Sequence, residues 1–342
     1  MDLHIVWFVL WGVLWGVYFM LDGFVLGAGM LHRVLGKTDE DRRVIINSFG
    51  PVWDGNEVWL VTAGGATFAA FPTTYALMFS YLYTPLLLLL FGLIVRGVSF
   101  EFRGKEDGAL WRGCWDWVIV GSSFVPALLF GVAFGNIFAG LPMDQAGYHG
   151  SLIYLLNPYG IVCGVLFVLL FLQHGALYLV VKTTGALSRS AEAAARVIWI
   201  PLLLVAVAFL GASYFSTRLY DNYFAAPLFA LVPLLAVAAL VSIRVLLAKG
   251  AHLAAFAASC ATILCVVFTG IIGLFPNLIP SSLDPLYSLS IYNSSSSAYT
   301  LRIMTTVAFI FVPIVIMYKI WVYRIFRGRV SGASLAGDHE AY

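Results

Sequence analysis

Asp22, Asp54, Asn56 and Glu57 are the residues of this chain whose types and surroundings suit chemistry. Asp22 lies in the apolar run LDGFVLGAGML at 21–31, and the other three lie in WDGNEVW at 53–59, the mouth of a run ending near Phe71. A carboxylate near the middle of a membrane helix costs about 2.5–3.5 kcal/mol on insertion scales, so such groups face protein or water rather than lipid. When water or another polar group links it to the next site, a carboxylate relays protons, and that is the chemistry this set suits. Read as a helix, residues 53–60 put Trp53, Asn56, Glu57 and Leu60 on one stripe, with Asp54 beside Glu57 at i,i+3. Two carboxylates and an amide then share one side. A structural hydrogen bond between helices remains an open reading for Asp22, as does a helix cap or snorkelling to the interface for Asp54.

The elements that position these residues are membrane spans. Of the 342 residues 61% are hydrophobic and 11% charged, against about 25% charged in an ordinary soluble domain. The fold class expected is all-α, a polytopic integral membrane protein. Nine apolar segments are long enough to cross a hydrocarbon core of roughly 30 Å, near 5–30, 52–72, 74–97, 115–140, 158–181, 197–215, 225–247, 253–275 and 301–323. Only Phe71-Pro72-Thr73 separates the second from the third, so a single bent span competes with this count. Charge decides for nine. Seventeen of the 19 Lys and Arg fall on alternate connections, with Arg218 and Arg302 the exceptions, which places the N-terminus outside and the C-terminus in the cytoplasm. Residues 1–330 form one membrane domain, and 331–342 read as a short disordered cytoplasmic tail. The outer loop 276–300 is rich in Pro and Ser, as an ordered, non-helical cap would be.

Asp22 lies about eight residues, or roughly 12 Å, from the inner end of its span, and Asp54 two or three residues in from the same face. Gly23 and Gly27, at i,i+4, form a face on which another helix can come close to Asp22. The net charge of +2 is spread among loops, which gives no footprint for nucleic acid. The four cysteines, Cys114, Cys163, Cys260 and Cys265, form no CxxC pair and no metal site. The start MDLHIVWF has no basic n-region, so this segment reads as a retained span, not a signal peptide. Of six histidines only His174 falls within a span, where a hydrogen-bonded structural role is preferred over haem ligation. Asp116, between Trp115 and Trp117, reads as an interfacial anchor, and Arg96 and Arg103 read as loop charges on the inner side.

DGFVLGAGML, INSFGPVWDGNEVWLVTAGGATFAAFP, WDWVIVGSSFVPALLFGVAFGN and FPNLIPSS, in that order, resemble subunit II of the cytochrome bd quinol oxidases, a likeness running from Leu21 to about Arg327. The resemblance implies nine helices, as two four-helix bundles plus one peripheral helix, in a bacterial cytoplasmic (inner) membrane. It implies a haem-bearing subunit I as partner, with a small single-helix accessory subunit and membrane lipid as further candidates. In such a complex quinol is oxidised, dioxygen is reduced to water and a proton motive force results. Two b-type haems and haem d then belong to subunit I, with a quinone in the complex, and this chain binds no cofactor or metal and holds no catalytic residue. Asp22 and Asp54 match family aspartates assigned to a cytoplasmic proton path. Asn56 and Glu57 would order water beside them, although Glu57 stands where some relatives carry Gln. Trp53 and Trp59 would line access for oxygen or a quinone, with plain packing the preferred reading. A proton-coupled secondary transporter is the alternative from another class, but the inverted repeats and paired broken helices of such proteins are not evident.

Overall fold

The 33-residue helix α1 (Leu3–Leu35) opens the computed structural model, which describes residues 2–335. Asp2 caps it by accepting from the His4 amide at 2.9 Å. An amphipathic helix, α2 (Asp39–Phe49), follows, started by a capping box between Thr38 and Asp41. Three helices come next: α3 (Trp53–Ala70), α4 (Pro72–Tyr81) and α5 (Tyr83–Phe102). Then α6 (Ala109–Ala139), a hairpin of β1 (Met143–Asp144) with β2 (Gly147–Tyr148), the single turn α7 (Leu152–Leu155) and α8 (Pro158–Lys182) complete the first half. In the second half α9 (Gly185–Ser216), the short α10 (Leu219–Ala225), α11 (Leu231–Ala248) and α12 (His252–Leu274) lead to β3 (Asn277–Ile279), antiparallel to β4 (Leu289–Ser290). The described residues end in α13 (Ala298–Ile325) and the turn α14 (Gly332–Leu335).

Eight of these helices are long and apolar enough to cross a membrane: α1, α5, α6, α8, α9, α11 with the turn before it, α12 and α13. The second span expected from the sequence, α3, is not among them, because Asp54, Asn56 and Glu57 crowd its first turns. Its 18 residues still measure about 27 Å. The third expected span also begins later than its apolar run. Pro72 starts α4 as a separate ten-residue helix, and the crossing helix α5 begins at Tyr83, with Pro85 in the first turn, where no amide is needed. Trp53 meets Phe100 edge-on at 5.5 Å, so α3 and α5 form an antiparallel hairpin closed by α4. The two runs are therefore separate helices and not one bent helix.

At the centre α8 packs against α6, α9, α1 and α12. The α1–α8 approach is close enough to demand glycine on both helices: a Cβ on Gly27 would run into the Phe171 carbonyl, and one on Gly175 into the backbone of Gly27 and Ala28. Lipid gives packed helices no hydrophobic advantage over exposed ones, so backbone proximity and interhelical polar contacts hold this core together. Opposite the basic end, Leu141 pairs with Ser281, and Met78, Leu82, Met143, Leu155, Ile279 and Leu289 close a small second core. This is the ordered cap foreseen in the Pro- and Ser-rich loop. The C-terminal segment is ordered as far as Leu335: Lys182 Nζ donates to the carbonyls of Phe326 and Gly328, and the Val330 amide to Lys182 O at 2.7 Å. Residues 332–335 of the expected disordered tail therefore form a helical turn with Leu335 buried, and the rest of that tail lies outside the described residues.

Candidate functional site

Asp22 is fully buried in α1 and is met there by a guanidinium from α5. Arg96 Nη2 lies 3.1 and 2.9 Å from its two carboxylate oxygens, and Tyr18, one turn earlier on α1, donates to Oδ2 at 3.2 Å. The same Nη2 also donates to Glu57 on α3. Three helices thus bring two carboxylates to one arginine. The Asp22 and Arg96 side chains are 0% exposed and that of Glu57 is 26% exposed, so the cluster runs from the core to the protein surface. With both acids ionised the triad carries a net negative charge, and a proton on either acid neutralises it. Arg96 Nε and Nη1 are buried without a partner, leaving further donors inside the cluster.

Asn56, buried one position before Glu57 on α3, is bonded on both sides. Its amide donates to the Leu21 carbonyl at 2.8 Å and accepts from Tyr323 of α13 at 3.0 Å, which joins α13 to the residue preceding Asp22. Asp54 is not brought to the triad: its side chain is exposed and accepts from the Gly55 amide at 2.6 Å. The shared side expected for the two α3 acids therefore splits, Glu57 turning inward to Arg96 and Asp54 outward. Trp59 is buried in the main core, while Trp53 is half-buried against Phe100.

Arg96 is the residue that the charge count misplaced. Assigned to a loop by sign alone, it sits within LLLLLFGLIVRGVSFEF, where helical spacing puts Leu89, Leu93 and Phe100 on its stripe, and all four are buried. Asp116 and Arg103 are likewise no surface features. Asp116 Oδ1 takes Arg103 Nε at 2.5 Å and His32 Nε2 at 2.7 Å, and Oδ2 takes Arg42 Nη1 at 2.8 Å. Arg103 reaches on to Asp39 at 2.7 Å. This second cluster clamps α2 to the ends of α1, α5 and α6. His32, in the last turn of α1, is fully buried.

Both ring nitrogens of His174 have hydrogen-bond partners. Nε2 lies 2.9 Å from the Met20 carbonyl, to which it donates, Nδ1 lies 2.6 Å from Ser259 Oγ, and the ring stacks on Phe256 at 4.8 Å. A cavity of about 370 Å³ lies elsewhere, between α9, α10, α11 and α12, lined by Phe209, Leu219, Tyr220 and Tyr223 among others, and reaches none of the acids.

Fold and site together define a polytopic α-helical membrane protein whose buried acids share an arginine near one end of the helix bundle. Comparison with known proteins makes this specific. Residues 3–326 match the family model of cytochrome bd terminal oxidase subunit II, and the chain belongs to that family. It is 39% identical to cytochrome bd ubiquinol oxidase subunit 2 of Bacillus subtilis, over 96% of this chain and 97% of that one. It is 38% identical to cytochrome bd-I ubiquinol oxidase subunit 2 of Escherichia coli K12, over 99% of this chain and 98% of that one. Its fold is similar to a chain in the structure of bd oxidase from Geobacillus thermodenitrificans, with a TM-score of 0.78 at 18% identity, covering 95% of this chain and 99% of that one.

Proposed function

We propose that this chain is subunit II of a bacterial terminal oxidase that oxidises quinol and reduces dioxygen to water, and that it supplies the cytoplasmic entry for protons. The family match over nearly its whole length supports membership of the complex and disfavours the transporter reading. The observation that carries the proton role is the triad: two carboxylates on one buried guanidinium, open at Glu57 and closed at Asp22. Proton transfer needs a group that holds a proton at modest cost, and a cluster neutralised by one proton supplies it. Asp54 serves as the outer collector and Asn56 as the polar bridge, with Asp22 the innermost acid of this chain.

The partner is a haem-bearing subunit I, which supplies haem d and the b-type haems. With both nitrogens of His174 engaged, that residue does not suit haem ligation, and this chain's contribution is to hold and move protons. Exposed apolar faces of α3, α5 and α13, including Val58, Val61, Phe91, Ile94, Phe309 and Trp321, form the surface for that partner. Trp53, half-buried beside α5, is the candidate wall of an oxygen or quinone access route. The nine-crossing reading counts α3 as a span, with the N-terminus outside and the basic end in the cytoplasm.

Replacing Asp22 with Asn keeps the size of the side chain and removes the proton. The expected result is oxygen consumption per haem d at least about tenfold lower with quinol in excess, with haem content near normal. Full turnover per haem with a reduced yield of complex would instead mark Asp22 as a structural hydrogen-bond partner.

A further inference from the structure

Arg244 of α11 lacks an anion. In the cluster around α2, Arg42, Arg103 and Arg112 each reach a carboxylate. Among the described residues Arg244 meets only the Arg196 carbonyl, 3.0 Å from Nη1, and the ring of Trp199, whose centroid is 5.9 Å from the guanidinium carbon. Helix α11 ends four residues later at Ala248, so Arg244 stands about 6 Å inside the end of its helix. It lies at the foot of an exposed apolar stripe of Leu234, Val237, Val241 and Val245, and the neighbouring α9 exposes Ile200, Leu204 and Val207. Neither helix belongs to the surface assigned to the partner subunit.

An arginine near the end of a span ordinarily extends to water. Arg244 instead turns sideways across the seam between α11 and α9. Side chains tie that seam to backbone in three places: Trp199 Nε1 donates to Leu240 O at 2.8 Å, Arg196 Nη2 to Leu247 O at 2.8 Å, and Arg244 Nη1 to Arg196 O. Two arginines are thereby held side by side. Glu192 bonds Arg196 at 2.6 Å and lies 3.3 Å from His252, so it answers Arg196 and leaves Arg244 and the exposed Lys249, just past the end of α11, without a carboxylate. With Nη1 engaged, the free edge of Arg244 is that of Nε and Nη2, two parallel donors that match two oxygens of one phosphate. We infer that this corner binds an anionic phospholipid of the leaflet at the basic end. The phosphate accepts from Nε and Nη2 of Arg244 with Lys249 beside it, and the acyl chains lie along the apolar stripes of α9 and α11. A zwitterionic lipid brings its own cation against Lys249, and a free phosphate leaves the stripes uncovered.

The test is native mass spectrometry of the intact complex, exchanged into neutral detergent micelles that contain phosphatidylglycerol or phosphatidylcholine with the same chains. Haem content confirms assembly of each variant. The wild type is expected to retain phosphatidylglycerol in preference to phosphatidylcholine. Arg244→Gln lowers that retention roughly fivefold, Lys249→Gln lowers it in the same direction, and Arg244→Lys, which keeps the charge without the fork, falls between Arg244→Gln and the wild type. Arg218→Gln, at the opposite end of α9, leaves it unchanged. Equal retention of the two lipids by the wild type overturns the inference, as does wild-type retention in Arg244→Gln or an equal loss in Arg218→Gln. Release of phosphatidylglycerol by millimolar inorganic phosphate marks a site for a free anion and overturns it too. If Arg244→Gln does not assemble, Lys249→Gln, whose side chain makes no hydrogen bond or ion pair among the described residues, decides alone, and unchanged retention there overturns the inference.

Discussion

Arg96 decides how the acids of this chain behave. Removing it would leave Asp22 and Glu57 facing each other with no cation, and an uncompensated buried charge costs on the order of 3–5 kcal/mol. Removing one acid is different, since it leaves a balanced pair. Glu57→Gln is therefore expected to assemble normally and to lower oxygen consumption per haem d, though less than Asp22→Asn, because water at the surface end of the triad can bypass Glu57. Haem content and steady-state turnover of the purified variant complex check this, and a Glu57→Gln complex slower than Asp22→Asn would place the bottleneck at the surface end instead. Asp22, Asn56 and Glu57 were legible as a polar set because each interrupts an apolar run. Their cation was not. Positive-inside counting reads the sign and the approximate position of a charge, whereas the burial of Arg96 depends on which face of α5 meets α1 and α3.

At the scale of elements, the two ionic clusters have different tasks. Asp116 binds His32, Arg42 and Arg103 and so joins α2 to the ends of α1, α5 and α6 at a site away from the triad. Asp116→Ala strands the guanidinium groups of Arg42 and Arg103 and leaves His32 without its partner, and the expected outcome is a loss of about 3–5 kcal/mol, read as low yield and a lower detergent denaturation temperature. Turnover per assembled haem should stay near that of the wild type. A fall in that turnover with normal yield would assign Asp116 to the proton path. The sequence showed most helix positions through their hydropathy, with two failures that share a cause. The start of α3 is too polar for a hydropathy window, and the run 74–97 conceals the break at Leu82, because the leucine-rich start of α5 masks the shorter and less apolar α4 before it. Hydropathy averages over a window, so polar first turns hide one helix and an apolar neighbour absorbs another.

At the scale of the molecule, α1 and α8 form a tightly packed centre and α13 an almost bare edge, the distribution expected of a subunit that completes its surface against another chain. Alternation of the helices places the ends of α1, α5, α8, α11 and α13 together, along with most Lys and Arg, provided α3 crosses. A reporter that is active only outside the cytoplasm, fused after Arg329, should stay inactive, and one fused in the 276–297 loop should be active. Activity after Arg329 would remove either the crossing of α3 or the orientation.

The account rests most directly on partnership, and one preparation tests it. The chain is purified through an affinity tag from membranes containing the assembled oxidase, and its haem spectrum and quinol-driven oxygen consumption are recorded beside those of the same chain expressed alone. The prediction is that haem d and b-type absorbance and oxygen uptake co-purify with the tag in constant ratio, while the chain alone carries no haem. Stoichiometric haem in the isolated chain that is lost on replacing His174, or an active haem-bearing oxidase that separates cleanly from this chain and keeps full turnover, would contradict it.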